Sequence, residues 1–482
     1  MTSAEPEGAP ERQLRMYGGA WAGAIPLAIM VAVMVWLSIA EKAAVEAFWV
    51  GGVLAIIVGL LIARTKGEYS LAVLRGLGNR SGIVIIAAFI FAGVFGQLMV
   101  TGGLVEGLLW FGLETGVQGA LFTGLAFVAA MIFAVATGTS VGTVVSLIPV
   151  LYPAGVFLGA DPMMLGAAVL SGAAFGDNLA PVSDTTIVSA YTQDAKMGDV
   201  VRTRFPLAIS AAALSLPVLL IFGGGHQVRD LPELEADSDP TGLLILGAVV
   251  VVIVSSVYFG RHVIESLIWG SLSAAAIALV SGTMSPGDLF RIPEERGDST
   301  GAIQDGIDGV TGAIVFVLLI LAVTQVLIET GIMDRVLRVT ERHAAKSVRQ
   351  AELTSASVTM LATIPLSTLS ASMFLVGPTL VKPLGQRFNL APARRANLMD
   401  CSANSLFYMM PWHNAVIVWY ATLQTAAESY DLPLPSIYSA FANPYSWAIL
   451  LVILVSILTG WNRKYDVPGS PREPAGEQAA DG

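Results

Sequence analysis

Residues 175–186, FGDNLAPVSDTT, bring two aspartates, an asparagine, a serine and two threonines into one short run. Asp177, Asn178, Ser183, Asp184, Thr185 and Thr186 all offer oxygen, and none offers sulfur or imidazole. An oxygen-only set is hard, suited to Na+ or H+ and ill suited to soft metals. Burial favours the protonated form of a carboxyl group, so a proton and a metal cation can compete for the same oxygens. Binding one then displaces the other, which is the minimum machinery for exchange. Asp177 and Asp184 are the expected Na+ ligands in this reading. The helix start after Asp184 and Thr185 offers an alternative, a seat for an anionic substrate.

These residues sit in sequence that otherwise reads as lipid-buried. The chain has 482 residues, is 55% hydrophobic and only 13% charged, with a mean hydropathy of +0.71. Soluble domains carry charge on about a quarter of their residues, so an all-α polytopic membrane protein is expected. Its one cysteine, Cys401, excludes an intrachain disulfide. The net charge of −10 gathers in the ends and in two polar loops, as solvated surface or as a surface suited to a salt-rich medium. No basic face suggests nucleic acid.

Apolar runs of about 20 residues fall near 17–39, 43–63, 80–101, 118–136, 141–159, 163–192, 204–223, 241–259, 263–281, 305–330, 350–366, 371–385, 393–422 and 444–461. About 12–14 membrane segments are therefore expected, between acidic tails at 1–16 and 462–482. The first run is longer than the apolar core of a signal peptide. The pairs 118–136/141–159 and 350–366/371–385 are joined by only TGTS and STLS, so each is either two spans or a re-entrant hairpin. Lys and Arg collect at 64–80, 196–204, 335–349, 382–395 and 463–464. Counting crossings from a cytoplasmic start puts every one of these inside, as the positive-inside rule requires. Both termini are expected in the cytoplasm, and the membrane is expected to be the cell's plasma membrane.

Sliding the chain by 230 residues aligns Ser140 with Ser370, Pro153 with Pro383, Gly155 with Gly385, Pro162 with Pro392 and Pro181 with Pro411. The crossing count inverts the second copy, so two inverted-topology repeats are expected, in halves near 80–223 and 305–461. Each would hold a hairpin and a broken helix, the arrangement that builds the sites of secondary transporters. In the first copy, 163–175 spans only about 20 Å as helix, too short for a hydrocarbon core of about 30 Å. The run 163–192 is accordingly read as one span unwound over 177–184, with Pro181 enforcing the break and Ser183 or Asp184 capping the helix after it. The mate is expected to break over 400–414 (DCSANSLFYMMPWHN), which adds Asp400, Asn404, His413 and Asn414 to the candidates. The small residues of 166–176 let the broken helix pack closely on a neighbour, the hairpin carrying ATGTSVGT at 136–143.

With these motifs in hand, the sequence resembles the NhaC family of sodium/proton antiporters. FGDNLAPVSDTT is similar to the family's FGDKLSPLSDTT, ATGTSVGTV at 136–144 to its TGTSWGTV, and PWHN at 411–414 to its PWN. The resemblance covers most of the apolar core. It implies an ion-transporter fold, Na+/H+ exchange without a cofactor, and a site that includes Thr137, Thr139 and Ser140 at the hairpin tip. Asn178 stands where the family has lysine, Ala180 where it has serine, and His413 in a slot without a counterpart. The family also contains exchangers of organic acids and amino acids, so a small organic substrate stays open as a partner beside Na+, H+ and the lipid bilayer. A homodimer stays open too.

Two other classes are weaker. The first glycine of an intramembrane aspartic protease motif is replaced by Ala174, and His226, His262, His343 and His413 are scattered without a His-Glu-x-x-His helix. No catalytic constellation is complete, so an enzyme is not expected. A passive cation channel would also line its path with hydroxyls and acids, but inverted broken helices favour alternating access. His413 is read as a proton-sensing or gating residue. Glu265 and Glu329 are read as solvated span ends, and the 335–349 run as a topology determinant.

Overall fold

In lipid, backbone amides and carbonyls find partners only within helices or closed barrels. The computed structural model describes residues 14–39, 45–225, 238–292, 299–332, 345–366 and 368–466, and these are helical almost throughout, with isolated β-bridges only. Outside them lie most of the acidic tails, Arg229, His226, His343, Ser367, residues 293–298 of one acidic loop and most of the 335–349 basic run. Among the described residues, nine helices are long and apolar enough to cross a membrane, and two shorter ones are apolar. The protein is thus a multi-pass, all-helical membrane protein. The remaining expected segments, between 350 and 422, are helical but shorter or more polar.

The chain forms two compact units, Met1–Ile83 with Val315–His343, and Val84–Ile314 with Ala344–Gly482. In the first, α1 (Ile25–Ile39) packs along α2 (Val45–Ile62), and α3 (Lys66–Leu77) follows. Tyr69 of α3 is buried and donates to the carbonyl of Ile56 at 3.0 Å. Glu329 is not merely solvated: Arg75 grips both of its oxygens, Nε to Oε1 at 2.7 Å and Nη2 to Oε2 at 2.6 Å.

The second unit holds the repeat. Its elements are α4 (Arg80–Thr101), α5 (Leu104–Thr115), α6 (Ala120–Thr137), α7 (Ser140–Phe157), α8 (Pro162–Leu179), α9 (Asp184–Thr192) and α10 (Met197–Phe222). They continue as α11 (Leu246–Val257), α12 (Val263–Ser281), α13 (Ala302–Glu329), α14 (Val348–Thr363), α15 (Leu369–Val376), α16 (Lys382–Arg387), α17 (Pro392–Phe407), α18 (Asn414–Tyr430) and α19 (Pro444–Thr459). Helices α4 and α13 are cut by the division into units. Pro162 and Asp184 begin α8 and α9, and the residues 230 places on, Pro392 and Asn414, begin α17 and α18. The internal match seen in sequence is therefore a match of helix starts.

The breaks differ from expectation. Helix α8 runs on to Leu179, 18 residues or about 27 Å, and only 180–183 are non-helical. Asp177 and Asn178 thus belong to its last turn, not to an unwound stretch. The reason is local: a proline excludes its predecessor from the helical region, so the chain turns at Ala180 (ψ 130°), one residue ahead of Pro181 and no earlier. Likewise α17 stays helical through Phe407, leaving Asp400 and Asn404 on a helix and only 408–413 as the break. A π-helical turn at Gly377–Val381, holding Pro378, separates α15 from α16.

Helix α8 is pressed against α6, as the small residues predict. A Cβ on Gly172 would meet the Phe127 carbonyl and Ala130, and one on Gly176 would meet Ala134. Gly138, with φ 66°, makes the two-residue turn between α6 and α7, a conformation that costs other residues strain.

Candidate functional site

The tips of both hairpins and the breaks of both long segments come together in the second unit. Asp177, in the last turn of α8, is buried. Its Oδ1 accepts from the Ser183 hydroxyl at 2.7 Å and its Oδ2 from the Tyr408 hydroxyl at 2.6 Å. Thr185 Oγ1 donates to the Asp177 carbonyl at 3.2 Å and lies 2.9 Å from Ser183 Oγ. Ser183 occupies the N-cap position of α9, yet its side chain makes no cap bond. The hydroxyl goes to the carboxylate instead, since a bond to a charged acceptor is the stronger one.

Asp184 behaves differently. It begins α9, is exposed, and accepts from the Ser370 hydroxyl. The two expected Na+ ligands thus have separate environments, one buried among hydroxyls and one at the surface. Ser370 lies in the first turn of the second hairpin's return helix α15 and is the repeat mate of Ser140. Of the first tip, Ser140 is buried and lies beside the Tyr408 hydroxyl. Thr139 caps α7 by accepting from Gly142 N at 3.2 Å, and Thr137 donates back to Phe133 O at 2.8 Å. Those two threonines are engaged with their own helices.

Arg204 is expected from sequence at the cytoplasmic end of a span. It lies instead within α10, fully buried, in an ion pair with the equally buried Asp400. Its Nε donates to Asn397 Oδ1 at 2.9 Å, Nη1 to the Asn178 carbonyl at 2.6 Å and to Thr186 Oγ1 at 2.9 Å, and Nη2 to Ser189 Oγ at 3.1 Å. One guanidinium therefore ties together α8, α9, α10 and α17. It also supplies positive charge against residue 178, where the sequence has an asparagine. Asp400 is not the repeat mate of Asp177, which is Phe407; it lies seven residues earlier, two helical turns along α17. Burial requires such a charge to be paired, and Arg204 pairs it. In sequence the only hint is a charge placed beyond the first turn of a long helix.

His413 is buried at the N-cap of α18, the repeat position of Ser183. Nδ1 lies 2.8 Å from Phe407 O and Nε2 lies 2.9 Å from Thr363 O, with the ring stacked on Phe407 at 4.7 Å. Both nitrogens face acceptors, so a neutral ring satisfies one and an imidazolium both. Trp412 Nε1 donates to Ile364 O at 2.7 Å. His413 and Trp412 thereby lock the second break to the second hairpin's tip. Tyr408, Ser370, Ser189 and Asn397 do not stand out in the sequence, although the alignment of Ser140 with Ser370 points to one of them.

Several buried polar atoms here lack a hydrogen-bond partner among the described residues: Asp400 Oδ1, Asn178 Nδ2, Asn414 Oδ1 and both amide atoms of Asn404. Such atoms are the exception in proteins. Among the described residues no group of three His, Cys, Asp or Glu side chains is placed to hold a metal ion. What surrounds the Asp177 carboxylate is hydroxyl oxygen, from Ser183 and Tyr408 directly and from Thr185 beside Ser183.

A sequence profile of the Na+/H+ antiporter family matches residues 14–224 and 240–457. The chain is 23% identical over 456 residues to a malate-2H(+)/Na(+)-lactate antiporter of Bacillus subtilis, covering 91% of this chain and 93% of that protein. It is 25% identical to the arginine/ornithine antiporter ArcD of Halobacterium salinarum, covering 79% and 80%. It is 24% identical to the Na(+)/H(+) antiporter NhaC of Alkalihalophilus pseudofirmus, covering 81% and 87%.

Proposed function

Because the chain belongs to the Na+/H+ antiporter family, we propose that it exchanges Na+ for H+ by alternating access, with both termini in the cytoplasm and no cofactor. The relatives are antiporters rather than enzymes. One observation carries the reading: the Asp177 carboxylate is buried and, among the described residues, accepts from hydroxyls alone, those of Ser183 and Tyr408. Among the described residues no basic side chain pairs with it, whereas Asp400 has Arg204. A buried carboxylate without a fixed counter-charge must take a proton or a cation to become neutral. The same oxygens serve either guest, because a hydroxyl that donates to the carboxylate can turn its lone pairs to a cation.

In this mechanism Asp177 holds the exchanging ion, Ser183, Thr185 and Tyr408 complete its surroundings, and Asp184 draws cations toward it from the exposed side. Ser370 links Asp184 to the second hairpin and Tyr408 links Asp177 to the second break. Occupation of the acid is thereby communicated between the two repeats.

The test uses proteoliposomes with an imposed Na+ gradient and an internal pH dye. Asp177→Asn is expected to reduce Na+-driven proton flux to the protein-free level. Asp184→Asn is expected to retain flux with apparent Na+ affinity weakened about two- to fivefold, the effect of one exposed charge. Full exchange in Asp177→Asn refutes the proposal.

A further inference from the structure

A cavity of about 350 Å3 opens between α4, α7, α13 and α18. Its size lies in the range that seats small organic ligands and far exceeds the space a single ion needs. Val145, five residues along α7 from the tip residue Ser140, forms part of the floor, which places that floor about 7 Å from the tip. The floor is buried and the rim, at Asp305, Thr425 and Ser429, is exposed.

The lining defines what fits. Polar groups come from Gln97, Thr422, Thr425, Ser429 and Tyr430, and among the described residues the one charged side chain is Asp305. No lysine or arginine among them lines the cavity. A wall of acceptor-capable hydroxyls with a single negative charge attracts a cation and repels a carboxylate.

We propose that this cavity is a binding site for a small aliphatic organic cation bearing a primary ammonium group, held by Asp305 with Thr425 and Ser429. The inference does not depend on Na+/H+ exchange at Asp177. The cavity is built from α4 and α13, which contribute no residue to that site, and from stretches of α7 and α18 beyond it. Gly309 provides a handle on the space: a Cβ there meets only Thr425 Cγ2, at the ordinary contact distance of 3.5 Å. A larger side chain at Gly309 therefore grows into the cavity and not into a helix.

The full chain in lipid nanodiscs is titrated calorimetrically with 1,5-diaminopentane, 1,5-pentanediol and glutarate, which share a carbon chain and differ in charge. Binding of the diamine alone is expected. Asp305→Asn is expected to weaken it about fivefold, the worth of one partly exposed ion pair, and Gly309→Leu to abolish it. Ser429→Phe, at the exposed rim, is expected to abolish it as well and guards against misfolding of the Gly309 variant. Equal binding of the three compounds, no binding of the diamine, or diamine binding unchanged in Asp305→Asn and both blocking variants each overturns the inference. Parallel flux assays separate the two claims. Diamine binding by a protein that shows no Na+/H+ exchange refutes the exchange reading and upholds this one, and exchange without diamine binding does the reverse.

Discussion

Breaking the Arg204–Asp400 pair should cost more than removing both partners. Both side chains are fully buried. In Arg204→Met, Asp400 keeps one donor, Ser189 Oγ at 3.3 Å, and the Asn178 carbonyl, Thr186 and Asn397 lose theirs. A buried charge stripped of its counter-ion costs about 3–5 kcal/mol. In Asp400→Leu the guanidinium retains four acceptors, on Asn397, Asn178, Thr186 and Ser189, so the cost is smaller, about 1–3 kcal/mol. The double variant Arg204→Met/Asp400→Leu buries no charge and should recover to within about 1–2 kcal/mol of wild type. The coupling energy across the cycle, the sum of the single costs less that of the double, is then about 2–7 kcal/mol.

Unfolding free energies from SDS titration in mixed micelles, for wild type and the three variants, measure that coupling. Additive costs, with the double variant as unstable as the sum of the singles, would show that the two residues do not depend on one another and would overturn the assigned pairing. The same four proteins report on function. Exchange that survives in the double variant assigns the pair to scaffolding of the two breaks, whereas loss of exchange despite recovered stability assigns it to the transport cycle.

Other consequences are simpler. Gly172→Val drives a side chain into the Phe127 carbonyl and Ala130; a loss of about 1–3 kcal/mol, read as a lower SDS midpoint, is expected from separating α8 from α6. Glu352 is buried between Arg394, at 2.8 Å, and Arg463, at 2.6 Å, so Glu352→Gln should cost about 3–5 kcal/mol, and a midpoint equal to wild type would contradict that. Asp288, in an exposed turn, is held below its ordinary carboxylate range by the Ser285 amide and then by the Ser285 hydroxyl. Its folded value is depressed, so the turn's contribution is present above the unfolded value near 3.8 and lost as pH falls through the folded one. Ser285→Ala should move the Asp288 titration, followed by NMR, back upward; an unmoved titration would assign the shift to the amide alone.

The candidate acids are legible because charge in apolar sequence has so few uses. Asp177, Ser183 and Thr185 do meet, as their proximity on either side of Pro181 suggests. The extent of the break is not legible in the same way. Apolar length arithmetic equates polarity with unwinding, but a helix tolerates Asp177 and Asn178 in its last turn, and the proline acts only on its immediate predecessor. The second break is misplaced for the same reason, since Asp400 and Asn404 are polar and helical at once.

Hydropathy, the positions of proline and glycine and the spacing of the repeat are properties of the chain, so sequence is enough to specify a helical membrane protein, its small-residue packing face and a duplicated hairpin-and-break plan. Partners distant along the chain are not. Tyr408 reaches Asp177, Ser370 reaches Asp184 and Arg204 reaches Asp400 across about two hundred residues. Apart from its place two residues deeper into a long helix, nothing local distinguishes Arg204 from Arg202. Its charge is internal only because α10 packs against α8, α9 and α17. Among the described residues, that packing pairs one buried acid, Asp400, and leaves the other, Asp177, to the hydroxyls of Ser183 and Tyr408.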